Sequence, residues 1–409
     1  MSAENRRRLG LIVNPIAGVG GKVGLKGSDG VEIQRRAIEL GAVREAPRRA
    51  ELALARLAHL REHVEIVTFP GEMGEDEARA CGFEPAVVEG VIGVRRGERR
   101  PLLPAGAPAT TADDTVAAAQ ALRDTDVDLL LFAGGDGTAR DVCRAVGGAL
   151  VCLGVPAGVK IHSAVFATTP GSAGSLVALF LHDRPTAVRL REAEVMDIDE
   201  DAFRHDRVSA RLYGYLEVPY ERTLVQSAKA GGCAGDDADL ASIAADAVGG
   251  MTPGAVYLLG PGTTVRAVAA TLGLEKTLLG VDAVRDGRLI GADLGERQII
   301  ELIESAPDTP VRIVVTVIGG QGHIFGRGNQ QLSAEVIRRV GRGNIVVVAS
   351  QTKLLSLHGG PLLVDSGDPA LDAAFSGYVK VVTGLGRRTI YRVAGVDTFD
   401  QARDVVTPA

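Results

Sequence analysis

The sequence predicts an α/β protein: an N-terminal doubly wound parallel sheet followed by a C-terminal strand-rich α/β domain. Three observations carry this prediction. The continuous apolar runs Val127–Ala133 and Leu150–Val155 have the character of strands buried on both faces, as parallel strands covered by helices are. These runs alternate with helix-spaced apolar stripes and glycine breaks, the pattern of successive strand–helix units. Hydrophobic residues make up 46% of the chain while aromatics make up only 4% and Trp is absent, so the cores must be built from Val, Leu, Ile and Ala. At 409 residues the chain exceeds one ordinary hydrophobic core, and two domains are expected.

Leu9–Val13 forms the first strand, and Asn14-Pro15-Ile16-Ala17-Gly18-Val19-Gly20-Gly21 ends it, because proline and glycines forbid its continuation. Ala50, Ala53, Leu54, Leu57 and Ala58 share one helical face, and Val64–Phe69 returns to a strand. Residues 70–110, rich in Gly, Pro and charge, read as an irregular excursion. Thr111 and Asp114 have capping-box spacing and open a helix running to Arg123. After Val127–Ala133, a helix carries Ala139, Val142, Cys143 and Val146 on one stripe. Leu150–Val155 ends at Pro156, and a further apolar helix lies near Leu176–Leu181.

Near residue 186 the pattern changes to short strands at Ala187–Leu190, Val208–Leu212 and Tyr215–Val218, so domains of 1–185 and 186–409 are expected. A Gly- and Asp-rich link, Gly231–Asp239, precedes renewed alternation: strand Val256–Leu259, helix Thr264–Leu272 and strand Leu279–Val284. Asp286-Gly287 has the composition of a hairpin turn. Val311–Ile318 and Ile345–Val348 flank another helix, and Tyr378–Val382 is a late strand.

The formal charge of −6 gives no global footprint for nucleic acid or an anionic membrane, so anions would be held locally. No apolar run spans a bilayer, and the basic N-terminus lacks a signal-peptide core. Cys81, Cys143, Cys152 and Cys233 show neither zinc spacing nor a redox pair, a usage that fits a reducing cytoplasm.

The chemistry concentrates at Gly134-Gly135-Asp136-Gly137-Thr138, where an apolar strand gives way to a helix, the place where open parallel sheets bind ligands. Gly134, Gly135 and Gly137 let a phosphate approach the main chain, the helix N-terminus offers unpaired N–H groups, and Thr138 adds a hydroxyl. Asp136 is the odd member, since a carboxylate beside phosphate is useful only as a base for a reacting hydroxyl or as an organiser of Mg²⁺. A tight turn with a capping Asp gives the same string. Metal ligands cannot otherwise be assigned.

This strand and loop, preceded by Asn14-Pro15-x-x-Gly18, resemble the superfamily that joins NAD kinases with diacylglycerol and sphingosine kinases. Phe132 to Asp141, followed by Pro156-Ala157-Gly158-Val159-Lys160-Ile161-His162-Ser163, resemble more narrowly its ATP-NAD kinase and AcoX-like branch. The resemblance implies that the glycine loop holds nucleotide phosphates and that Asp136 activates the accepting hydroxyl. Asn14 to Gly21 with Lys22 offers a second phosphate loop or a plain strand-to-helix turn; the ending of a P-loop is missing. Lys160 and His162, just past a strand end, suit the transferred phosphate and a substrate hydroxyl respectively, or else a solvated loop.

In the second half, Gly260-Pro261-Gly262-Thr263-Thr264 again sits between strand and helix, with Gly280-Val281-Asp282-Ala283-Val284 following. Two functional readings stay open: the acceptor-binding Gly-Ser-Thr loop of NAD kinases, or the phosphosugar turn of sugar-phosphate isomerase-like domains. A mere turn is the third. Gly262, Thr263, Thr264 and Asp282 are the substrate-binding candidates there. Gly319-Gly320-Gln321-Gly322-His323-Ile324-Phe325-Gly326-Arg327-Gly328-Asn329-Gln330-Gln331 is costly to order unless it lines a ligand or a junction. Arg327 suits a phosphate, and Asn329 a base or amide.

The expected activity is transfer of a phosphoryl group from ATP or polyphosphate, with Mg²⁺, to a hydroxyl, the resemblance pointing to the 2′-OH of NAD and so to NADP. One departure stands against this acceptor: the Asn-Glu pair that ordinary NAD kinases use on the ribose is missing. A kinase of another hydroxylated metabolite, of acetoin-type catabolism, and a non-catalytic nucleotide or sugar-phosphate sensor are the alternatives. The expected partners are a small molecule and, in a homo-oligomer, further copies of the chain.

Overall fold

A computed structural model describes residues 6–25, 31–89, 110–158, 161–182, 188–198, 210–221, 224–225, 236–277, 279–318 and 320–396. The chain divides into two compact units, one of Met1–Val19 with Gly27–Ala228, the other of Gly20–Lys26 with Lys229–Ala409. No helix among the described residues is long and apolar enough to cross a membrane.

The first unit runs β1 (Arg7–Val13), α1 (Val31–Glu39), α2 (Ala46–Ala55), β2 (Val64–Thr68), α3 (Glu75–Ala80), β3 (Ala86–Val87), α4 (Ala112–Arg123), β4 (Leu129–Gly134), α5 (Asp136–Val146), β5 (Cys152–Pro156), α6 (Pro170–Leu181), β6 (Arg189–Ile198) and β7 (Ala210–Tyr220). Its main sheet has the order β3-β2-β1-β4-β5, every pairing parallel. Residues alternate across it, as the two-residue strand period requires. Leu9, Leu11, Leu129, Leu131 and Ala133 join a core with Ala50 and Leu54 of α2 and Leu176 and Val177 of α6. Ile12, Leu130 and Phe132 face the opposite core with Ala118 and Leu122 of α4 and Ala139 and Val142 of α5. The strand order reverses between β1 and β4, the switch point beside which open parallel sheets bind ligands.

The second unit runs α7 (Asp236–Gly249), β8 (Val256–Leu259), α8 (Thr263–Thr271), β9 (Asp282–Arg285), β10 (Arg288–Gly291), α9 (Glu296–Glu304), β11 (Val311–Thr316), β12 (His323–Phe325), α10 (Ala334–Val340), β13 (Ile345–Val348), α11 (Gln351–Leu355), β14 (Leu362–Val364), α12 (Pro369–Phe375), β15 (Gly377–Gly384) and β16 (Arg387–Gly395). Its mixed sheet has the order β10-β9-β8-β11-β13-β15-β16-β14-β12. Its centre, β8-β11-β13-β15, is parallel. Asp286 and Gly287 both have positive φ, at 50° and 70°, and turn β9 into the antiparallel β10 as their composition predicts.

Three readings of the sequence need correction. Part of 70–110 is ordered: α3 and β3 lie within it, while residues 90–109 fall outside the described residues. The short strands expected after 186 are one long antiparallel hairpin, β6 with β7, in which Ala193, Val195, Leu216 and Val218 alternate into the core beside α5. This hairpin packs on the first core, so the first compact unit extends to Ala228, past the expected boundary at 185/186. The link Gly231–Asp239 is also shorter than expected, since α7 begins at Asp236.

Cys81, Cys143 and Cys152 are free thiols, pushed up from the usual cysteine range by burial, and Cys233 lies outside the described residues. Glu77 of α3 is buried, and burial, reinforced by Asp76, Glu72 and Glu51, pushes its carboxyl up to about 8. An acid raised on folding stabilises fully below its unfolded value of 4.5 and loses that contribution as pH rises through about 8. The loss is at most about 1.4 kcal/mol per pH unit inside that window. Thermal unfolding of Glu77→Gln should therefore lose the part of the wild-type decline that lies between pH 5 and 8, and parallel declines in both proteins would contradict this.

Candidate active site

The loop after β4 delivers the first constellation. Gly135 is the N-cap of α5 and offers no side-chain cap, so the first N–H groups of α5, those of Asp136, Gly137 and Thr138, lack helical partners. Asp136 is therefore the first helical residue and not the capping one, which removes the capped-turn reading. Its side chain leaves the helix toward the segment following β5. Oδ2 accepts from the main-chain N–H of His162 at 2.7 Å, and Oδ1 from that of Ser163 at 3.0 Å. The His162 ring adds Nδ1 at 3.1 Å from Oδ2.

The segment carrying His162 is held from two sides. Val165 O accepts from Gly154 N of β5 at 2.9 Å, and Ala164 N donates to Glu194 O of β6 at 2.8 Å. The Ser163 hydroxyl donates to Met196 O at 2.7 Å and accepts from Met196 N at 2.9 Å. Arg140 of α5 meets Asp197 at 2.6 Å, tying α5 to the same strand. The β6–β7 hairpin is thus what fixes His162 and Ser163 against Asp136.

The loops after β1, β4 and β5 converge. Asn14 donates through Nδ2 to Thr138 Oγ1 at 3.0 Å, joining the two loops that flank the reversal of strand order. Gly134 O accepts from Ala157 N and Gly158 N at 2.8 and 3.1 Å. A Cβ on Gly158 would stand 2.8 Å from Gly135 Cα, so only glycines allow these main chains to pass. Asn14, Gly134, Gly135, Asp136, Gly137, Thr138 and His162 are brought together as the sequence suggested; Lys160 lies outside the described residues. Ser163 escaped notice because nothing local marks a serine that bonds a carboxylate 27 positions away.

A second constellation belongs to the second unit. Gly262, with φ of 115°, caps α8, and a Cβ there would fall 2.6 Å from Thr316 Cγ2. Thr263 is exposed and Thr264 is fully buried. Lys353 Nζ donates to Thr264 Oγ1 at 2.9 Å and Thr316 Oγ1 at 3.2 Å, a cation at the C-terminal ends of β8, β11 and β13. Sequence reasoning missed Lys353, because a lysine in a five-residue helix carries no pattern.

Asp282 and Asn329 behave differently from expectation. Asp282 Oδ1 accepts from Thr277 Oγ1 at 2.6 Å and Asp293 N at 2.8 Å, and Oδ2 accepts from Thr277 N at 2.8 Å. Lys276 Nζ stands 3.9 Å from Oδ2, and burial pushes this ammonium down to about 8 against the pull of Asp282 and Asp293. Asp282 therefore organises a buried turn and does not present a free carboxylate to a ligand. The Asn329 amide donates to Ile324 O at 2.8 Å and accepts from Gly326 N at 3.1 Å, so it fastens its own loop. Arg327 is buried in that loop.

The glycine-rich loops and the pinned Asp136 carboxylate thus gather at the switch point where open parallel sheets bind ligands. The sequence profile of the ATP-NAD kinase N-terminal domain matches residues 9–184, and that of the ATP-NAD kinase C-terminal domain matches residues 253–393. The chain belongs to the ATP-NAD kinase family, and is an ATP-dependent kinase with a small-molecule acceptor. No curated protein sequence gives a significant match to it.

Proposed function

We propose that the protein is a cytoplasmic enzyme that phosphorylates the 2′-OH of NAD with ATP, giving NADP, and that it stands in the AcoX-like branch of its family. The observation that carries the reading is the convergence of the α5 N-terminus, Asn14, Thr138 and the Asp136–His162 pair at one switch point. Phosphoryl transfer needs little covalent help from a protein; alignment of donor and acceptor and stabilisation of spreading negative charge are the main requirements. The N–H groups of Asp136, Gly137 and Thr138 suit the donor phosphates.

Mg²⁺ fits this reading as an ion carried mainly by the nucleotide phosphates, as it is in nucleotide-dependent transferases generally. Bound with the nucleotide, Mg²⁺ would neutralise charge developing on the transferred group.

We assign acceptor recognition to the second unit, through Thr263, Thr264, Lys353 and Arg327. Thr263→Ala and Arg327→Ala should raise the KM for the acceptor several-fold more than that for ATP. A change confined to the ATP KM would contradict this division of labour. The substrate itself is tested by incubating the protein with ATP, Mg²⁺ and a panel of hydroxylated metabolites including NAD, and following phosphate incorporation by mass spectrometry. Incorporation into another metabolite with none into NAD overturns the NAD assignment, and ATP binding with no product across the panel favours a sensor.

A further inference from the structure

We infer that His162, through Nε2, is the general base that removes the proton from the accepting hydroxyl, and that Asp136 is the residue that orients it. The inference rests on the kinase reading above and divides the labour within its site differently from the family resemblance, which places proton removal on Asp136.

The argument begins with the lone pairs of Asp136. Of roughly four acceptor sites on a carboxylate, Oδ2 commits two, to His162 N and His162 Nδ1, and Oδ1 commits one, to Ser163 N. The two main-chain donors are fixed by the β5 and β6 contacts of their segment, so these bonds cannot swing away to release the carboxylate. What remains on Oδ1 is a single site in the same plane, poorly placed to serve both a cation and a reacting proton.

The imidazole is in the opposite condition. With Oδ2 accepting at Nδ1, the neutral ring must carry its proton on Nδ1, and its lone pair on Nε2. His162 is only 6% exposed, and its Nε2 is buried with no hydrogen-bond partner. A buried acceptor left unpaired costs about 1–3 kcal/mol, so a site that keeps one has a use for it. A carboxylate that fixes the tautomer of a histidine whose far nitrogen is left unpaired is the orienter–base arrangement used to activate hydroxyl nucleophiles.

The step balances without further reagents. The acceptor hydroxyl gives its proton to Nε2 as its oxygen bonds to the γ-phosphorus of ATP; the bond from that phosphorus to the β–γ bridging oxygen breaks, and its electron pair leaves on ADP. The imidazolium returns its proton to solvent after product leaves.

The test uses the full chain with ATP, Mg²⁺ and the acceptor that the metabolite panel identifies. In protein selectively labelled with ¹⁵N at histidine, the His162 resonances, assigned by their loss in His162→Gln, should report the Nδ1–H tautomer with an unprotonated Nε2. The donors to Asp136 from His162 N and Ser163 N are main-chain groups, so His162→Ala should fold and bind ATP as the parent does. Its kcat should fall by about 10²–10³-fold, with the acceptor KM little changed, and added imidazole should restore at least tenfold. An Nε2–H tautomer, a kcat within a fewfold of the parent, or a loss confined to KM overturns the inference while leaving the kinase reading intact. If His162→Ala fails to fold, the tautomer of the parent protein and the kcat of His162→Gln decide by the same criteria. Absence of product from the parent protein with every acceptor overturns both.

Discussion

Asp136→Asn is expected to lower kcat by about 10²-fold or more, with the fold retained. The physical reason lies in what the carboxylate accepts. Both its oxygens face N–H donors, from His162 and Ser163, and the His162 ring contributes a further one. An Asn side chain replaces one of those oxygens with an NH₂ group, so in either orientation a donor must face a main-chain donor, that of His162 or that of Ser163. Leaving one buried N–H unpaired costs about 1–3 kcal/mol, which a domain with cores on both sheet faces can absorb. The loss should therefore appear in turnover far more than in folding. Steady-state kinetics with thermal unfolding on the same samples provides the check, and near-normal kcat in folded Asp136→Asn would remove this carboxylate from the mechanism.

Gly158→Ala is expected to have an effect of similar size by a different route. The added Cβ would lie 2.8 Å from Gly135 Cα, a main-chain atom that cannot rotate aside. Relief must come from shifting the loops after β4 and β5 against each other, and these are the segments that carry Asp136 and His162. A displacement near 1 Å between reacting groups costs about 10²-fold in rate. Gly148→Ala, where a Cβ meets nothing within 4 Å, is the matched control and should retain parental kcat. Equal activity in both variants would show that the two loops do not set the geometry of the site.

Much of this architecture is legible from the residues alone. Val127–Ala133 and Leu150–Val155 announce β4 and β5 because a strand covered on both faces has no polar side, and Gly134-Gly135-Asp136-Gly137-Thr138 marks the break into α5. The β6–β7 hairpin was harder to read. Arg191, Glu192 and Glu194 interrupt its inward residues Ala193 and Val195, while Leu212, Tyr213 and Tyr215 are exposed, which blurs the alternation. The capping box at Thr111 and Asp114 is local and was visible; the bond from Ser163 to Asp136 spans 27 positions and was not. Asp282 shows the converse error. A carboxylate at a strand start suggests a ligand, yet Thr277 five residues earlier already satisfies it, and only the fold reveals that turn.

The central claim, transfer of a phosphoryl group from ATP to the 2′-OH of NAD at the β1–β4 switch point, is most directly tested by ³¹P NMR of one reaction. Protein, ATP, Mg²⁺ and NAD are mixed, and the γ-phosphate resonance of ATP is followed against that of a 2′-phosphomonoester. The account predicts that the second grows as the first declines, and that the exchange slows by about 10²-fold or more in Asp136→Asn. ATP that remains intact, or that yields only inorganic phosphate while NAD is unchanged, would contradict it.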